Sequence, residues 1–150
     1  MSAHTHLIAL FSFAAVSVSQ ATEPATPATV AEQTELSAYT TPLAAMFGII
    51  EQINTHLAAA TDEDSAEAAG EAILELLPAL DAQAAQFSSL PMPSAEVQAA
   101  MDAWFSEQEH IMETMVQEVD RLTAEDPAFY GSQTLIQAIV LLGGVLGGAQ

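Results

Sequence analysis

The chain has 150 residues, 51% of them hydrophobic, with 20 acids, a single base and no cysteine, for a formal net charge of −19. That length suits one domain, and the lone base, Arg121, supplies no patch for a nucleic-acid backbone or an anionic membrane surface. Without cysteines there are no disulfides, thiolate zinc sites or cysteine nucleophiles, whereas cations, basic proteins and basic peptides remain electrostatic partners.

Residues 1–21 read as an export signal. Leu7 to Val18, LIALFSFAAVSV, is an uncharged apolar run, shorter than the roughly 20 residues that span a bilayer. Ser19-Gln20-Ala21 then places small residues where a signal peptidase reads, which predicts cleavage after Ala21 and a periplasmic or extracellular protein. Residues 22–41 are rich in Ala, Thr, Pro and Glu and are expected to form a flexible linker, since they hold few large apolar groups to offset the entropy of ordering.

From Thr41 onward the apolar spacing is helical, and residues 42–150 are predicted to form one helical bundle domain. Thr41 and Pro42 suit the N-cap and first position of a helix whose seam is Leu43, Met46, Ile50, Ile53, Leu57 and Ala60, widened by Phe47 and Ile49. A second helix is expected from Thr61, with Asp62, Glu63 and Asp64 at its positive end. Its seam is Ala66, Ala69, Ile73, Leu76, Leu80 and Phe87, and Pro78 predicts a kink. Ser94 is a candidate N-cap for a third helix of about 30 residues, striped by Val97, Met101, Trp104, Ile111, Met115, Val119 and Leu122 and stopped by Asp126-Pro127. Gly131 and Ser132 open a short fourth helix, expected to end near Leu142 in a frayed glycine tail. The predicted fold is all-α: an antiparallel up-down-up bundle of three main helices, closed by the short C-terminal one.

Two stretches, residues 61–76 and 118–139, resemble a loose group of small exported bacterial helical proteins of unknown function. In that group an Ala-rich helix with an acidic start precedes a longer helix ending in an Arg-Leu pair, and a Tyr-Gly-Ser turn leads into a last apolar helix. Arg121-Leu122 and Tyr130-Gly131-Ser132 stand in those places here. The resemblance implies a helical bundle and supplies no activity, cofactor or catalytic residue.

Candidate chemistry is sparse. Glu107 and His110 form one Glu-x-x-His, but the di-iron bundles that use this spacing need a second such motif, and the chain has none. Both flank the apolar stripe and read as surface rather than as a transition-metal site. Asp62, Glu63 and Asp64 could suggest calcium, but the sixth residue from Asp62 is Glu67, not the Gly that an EF-hand requires, so helix capping is the better reading. His56 suits a helix C-terminus through the dipole alone. Neither a GxSxG elbow nor a Gly-rich phosphate loop is present. No catalytic, cofactor-binding or metal-binding residue is therefore assigned.

Met101, Met112 and Met115 with Trp104 and Phe105 could form an adaptable groove, though their place on the seam favours core. Leu135 to Ala149 is uncharged, and its Gly143/Gly147 and Gly144/Gly148 pairs suit close helix approach. It is short for a membrane span and is expected to be core, ahead of either a membrane or an oligomer contact.

The sequence thus ranks first a non-enzymatic exported protein with an unknown protein partner, for which the net charge favours a basic one. Cation binding by carboxylates comes second and an enzyme using acidic side chains last. Repulsion among 20 acids also predicts stability that rises with salt and with mild acid.

Overall fold

The computed structural model describes residues 29–147, so the expected signal peptide and cleavage site lie outside the described residues. The described residues form four helices, α1 (Val30–Ala59), α2 (Glu63–Ser88), α3 (Ala95–Glu125) and α4 (Gln133–Leu146), with a 3-10 turn at Phe129–Gly131. The described residues contain no strand, and the all-α bundle of three long helices and a short C-terminal one is as the sequence predicts.

Chain direction follows from contacts at the helix ends. Near the start of α1, the Tyr39 hydroxyl donates to the Pro91 carbonyl (2.7 Å) and the Glu35 carboxylate accepts from the Ser94 amide (3.0 Å). At the other end of α1, Arg121 donates to the Leu57 carbonyl (2.9 Å). The helices therefore run up, down and up. Helix α4 runs alongside α2 in the same direction, since Ser132 meets Glu67 while Leu141 and Val145 lie by Leu77 and Asp81. Helix α1 packs on both α2 and α3, and α4 packs on α2. The order across the bundle is α3–α1–α2–α4, which makes α1 central and α4 an edge.

The main core is built on α1. Ile53 and Leu57 are fully buried, and Ile73 and Leu80 of α2, Ile111, Met115 and Leu122 of α3, and Leu135, Leu142 and Leu146 of α4 join them in one cluster. A smaller cluster of Tyr39, Leu43, Val97 and Met101 closes the end where α1 begins. This second cluster corrects the proposed linker over residues 30–41, residues 22–28 lying outside the described residues, and the N-cap at Thr41. Residues 30–41 are helix, begun by a capping box in which Thr29 accepts from the Glu32 amide and the Glu32 carboxylate accepts from the Thr29 amide. Burial of Tyr39 offsets an ordering cost that the composition of this segment does not meet by itself. Pro42 accordingly sits inside α1, buried.

Further corrections are local. Asp62, not Thr61, caps α2, with Ser65 as its reciprocal partner. Leu77 rather than Leu76 is buried on the seam, and Phe87 is only half-buried. As expected, α2 holds Pro78 within a single helix that runs to Ser88. In α3 the N-cap Ser94 and the C-cap Asp126 are as expected, but Trp104 is half-buried, edge-on to Phe47 at 5.4 Å between centroids. Helix α4 is capped by Ser132 and runs on to Leu146, so Gly143 and Gly144 are helical rather than a frayed tail. No described helix is long and apolar enough to cross a membrane.

Candidate functional site

Three arrangements stand out, two that hold the edge helix in place and one that it presents. The first is the turn into α4. Phe129 and Tyr130 have φ of 51° and 57°, and Gly131 has φ of 82°, so three successive residues are left-handed. For the two non-glycines this costs about 1–2 kcal/mol each. The Asp126 carboxylate offsets the cost by accepting from the amides of Ala128 (2.9 Å) and Tyr130 (3.1 Å). The Tyr130 hydroxyl donates to Glu125 (2.6 Å), which also pairs with Arg121 (2.7 Å). Arg121 reaches Glu118 as well (2.8 Å) and donates to the carbonyls of Leu57 and Ala60. The only base thus ties α3 to the end of α1, adding a second donor to the Leu57 carbonyl, which also accepts from the Ala60 amide, and a donor to the Ala60 carbonyl. Its role here is structural.

The second is a latch between α2 and α4. The Glu67 carboxylate accepts from the hydroxyls of Ser132 (2.7 Å) and Thr134. Ser132 in turn caps α4 by accepting from the Leu135 amide (3.0 Å). One turn further along α2, Gly70 lets the helices touch backbone to backbone. A Cβ there would stand 2.5 Å from the Leu135 nitrogen and 2.7 Å from the Thr134 carbonyl carbon.

Hydrogen bonds from the Thr134 and Ser132 hydroxyls hold the Glu67 carboxyl below its ordinary value of 4.5. Asp62, Glu125 and Glu32 are also lowered, chiefly by bonds from Ser65, Tyr130 and Thr29. These shifts run opposite to the rise expected from acid–acid repulsion, because short-range hydrogen bonds to the charged form outweigh screened charges farther away. A carboxylate whose folded value is depressed contributes stability above its unfolded value and loses it as pH falls through the folded one. The stability that these four carboxylates contribute is therefore expected to fall as pH drops below the ordinary glutamate value of 4.5. Glu67→Gln should flatten that fall, as read by thermal unfolding at several pH values in constant salt.

The third arrangement is the outer side of α4. Its inner stripe, Leu135, Ala138, Leu142 and Leu146, is buried. The outer stripe carries Gln137, Val140, Leu141 and Gly144, all exposed, with Val140 67% and Leu141 45% accessible. An edge helix usually turns charge to water, yet α4 has no charged residue on any face. Beside the stripe lies an open groove of about 310 Å3, lined by Leu74, Leu77, Pro78, Asp81, Leu141 and Val145. Asp81 is the only charge in that lining.

The residues singled out in the sequence do not converge. Glu107 and His110 are both exposed, and the His110 ring nitrogen Nδ1 lies 3.0 Å from the Glu107 backbone carbonyl rather than beside its carboxylate. His56 sits in the last turn of α1. Asp62 is occupied as a cap, while Glu63 and Asp64 are exposed in the first turn of α2. Among the described residues, no three His, Asp or Glu side chains form a group that could hold a metal ion. Met101 and Met115 are buried, and Met112, Trp104 and Phe105 are half-buried and packed against the core.

Sequence reasoning passed over Glu67 and Gly70. A lone Gly inside an Ala-rich helix was the available signal for a close backbone approach. It also passed over Asn54, buried in α1, whose amide donates to the Ile111 carbonyl of α3 (2.9 Å). No family model, curated protein or solved structure matches the chain.

Proposed function

We propose that this is an exported, non-enzymatic helical protein that acts by binding another protein through the outer face of α4. Its place in the cell envelope rests on the apolar N-terminal run and the small residues before Thr22, together with the resemblance to small exported bacterial helical proteins. The observation that carries the binding role is the α4 stripe itself. Two large aliphatic side chains are exposed side by side on an uncharged helix, next to an apolar groove, in a chain otherwise dominated by carboxylates. Such a surface costs free energy in water and is retained where something covers it. The partner it fits presents an apolar helical stripe without carboxylates at the contact.

A second reading, cation binding by the acidic surface, is favoured by the net charge of −19. The two differ in their response to salt. Sodium chloride should raise the melting temperature by screening, since the Debye length shrinks from about 10 Å at 0.1 M to about 3 Å at 1 M. Under the binding-protein reading, calcium chloride at matched ionic strength stabilises equally. A much larger calcium effect that saturates at low concentration reverses the ranking and makes cation binding the function.

A further inference from the structure

We propose that the outer stripe of α4 pairs with the same stripe of a second copy of this chain across a two-fold axis. This rests on the reading of that face as a docking surface and names its occupant.

The argument is one of charge. Two copies each carrying −19 repel one another across most of their surfaces. They can meet only where neither presents carboxylates. Helix α4, QTLIQAIVLLGGVL, is the one helix of the four with no acid in it. The nearest groove carboxylate, Asp81, belongs to α2. A basic partner would be drawn to the acid-bearing helices rather than to this face. An uncharged apolar stripe is matched by another uncharged apolar stripe, and α4 itself supplies one.

The glycines fit the same contact. Gly143 and Gly144 lie inside α4, where glycine weakens a helix relative to alanine. A Cβ at either would meet nothing within 4 Å, so packing within the described chain gives no reason for them. In an isologous contact centred near Val140 and Leu141, position 137 of one copy faces position 144 of the other. A missing side chain at Gly144 then lets the helices approach closely beside Gln137.

A helix of 14 residues offers a small interface, which predicts a weak dimer that tightens with salt. Sedimentation equilibrium of the full chain reads this directly. A monomer–dimer equilibrium is expected, with association strengthening between about 0.1 and 1 M sodium chloride. Leu141→Glu should weaken association at least about tenfold. Gly144→Glu is the second variant: it replaces a helix-weakening residue, so the helical fold should hold, as read by circular dichroism, while the dimer is lost. A wild-type monomer up to about 0.5 mM in about 1 M salt overturns the proposal. So does a dimer that survives both variants, since its contact would lie elsewhere. If the wild-type chain stays monomeric but a different protein attaches at α4, the docking face stands and only its occupant is wrong.

Discussion

Ile53→Ala is expected to lower the unfolding free energy by about 2–5 kcal/mol, a large part of the roughly 5–15 kcal/mol that holds a domain together. Ile53 is fully buried on α1, the helix that packs on both α2 and α3. Removing its side chain leaves a cavity on the helix against which two other long helices pack. The penalty is therefore the transfer term plus a cavity term that relaxation does little to reduce. The neighbouring Asn54 constrains relaxation further, because its amide is fixed to the Ile111 carbonyl while its own Oδ1 is buried without a hydrogen-bond partner. Urea unfolding followed by circular dichroism checks this. A loss below about 1 kcal/mol would mean that α1 is not the centre of the core.

Gly70→Ala is expected to destabilise by about 1–3 kcal/mol, even though alanine is the better helix former by about 1 kcal/mol. The added methyl would sit 2.5 Å from the Leu135 nitrogen, and that neighbour is backbone, with no rotamer to swing away. Helix α4 must lift from α2, which also lengthens the bonds from Ser132 and Thr134 to Glu67. Gly144→Ala is the matched control. Its Cβ meets nothing within 4 Å, so the same chemical change should stabilise the isolated chain by about 0.5–1 kcal/mol. Opposite signs for the two variants in urea unfolding are the expected result. Equal signs would mean that the α2–α4 joint is looser than its backbone contact implies.

Much of this architecture is written in local chemistry. Ser94 and Asp126 bracket α3, and Ser132 caps α4, because short polar side chains before an apolar run have few better uses than satisfying free amides. The seam Ile50, Ile53, Leu57 names the core face of α1 by spacing alone. The start of α1 is a different case. Thr29 and Glu32 form a capping box at a spacing visible in the sequence, but Ala, Thr and Pro around it read as a linker. What makes residues 30–41 helical is tertiary: Tyr39 and Leu43 reach Val97 and Met101, more than 50 positions away. Pro42 misled for the same reason, since packing can hold a helix through a residue that local propensity would place at its start.

The candidate site was legible in part. An uncharged C-terminal segment with paired glycines marked α4 as unusual, but which of its sides faced out depended on Gly70 and the Glu67 latch, and these set its rotation on α2. Four carboxylates run against the sign that composition suggests. Composition speaks of average repulsion, whereas Glu67, Asp62, Glu125 and Glu32 each respond to a hydroxyl or amide at hydrogen-bond distance. Only coordinates show such partners when they come from another helix, as Ser132 and Thr134 do for Glu67.

The central claim is that this protein works through the outer face of α4, and a photo-activated crosslinking residue placed at Val140 in the protein expressed in its own cells reads that face most directly. Val140 is 67% accessible, so the substitution should leave the fold intact. Ala103, exposed on α3, is the control position. Illumination should give a discrete adduct from position 140 and none from position 103, and Leu141→Glu in the same chain should abolish it. No adduct from position 140, or equal adducts from both positions, would contradict the claim.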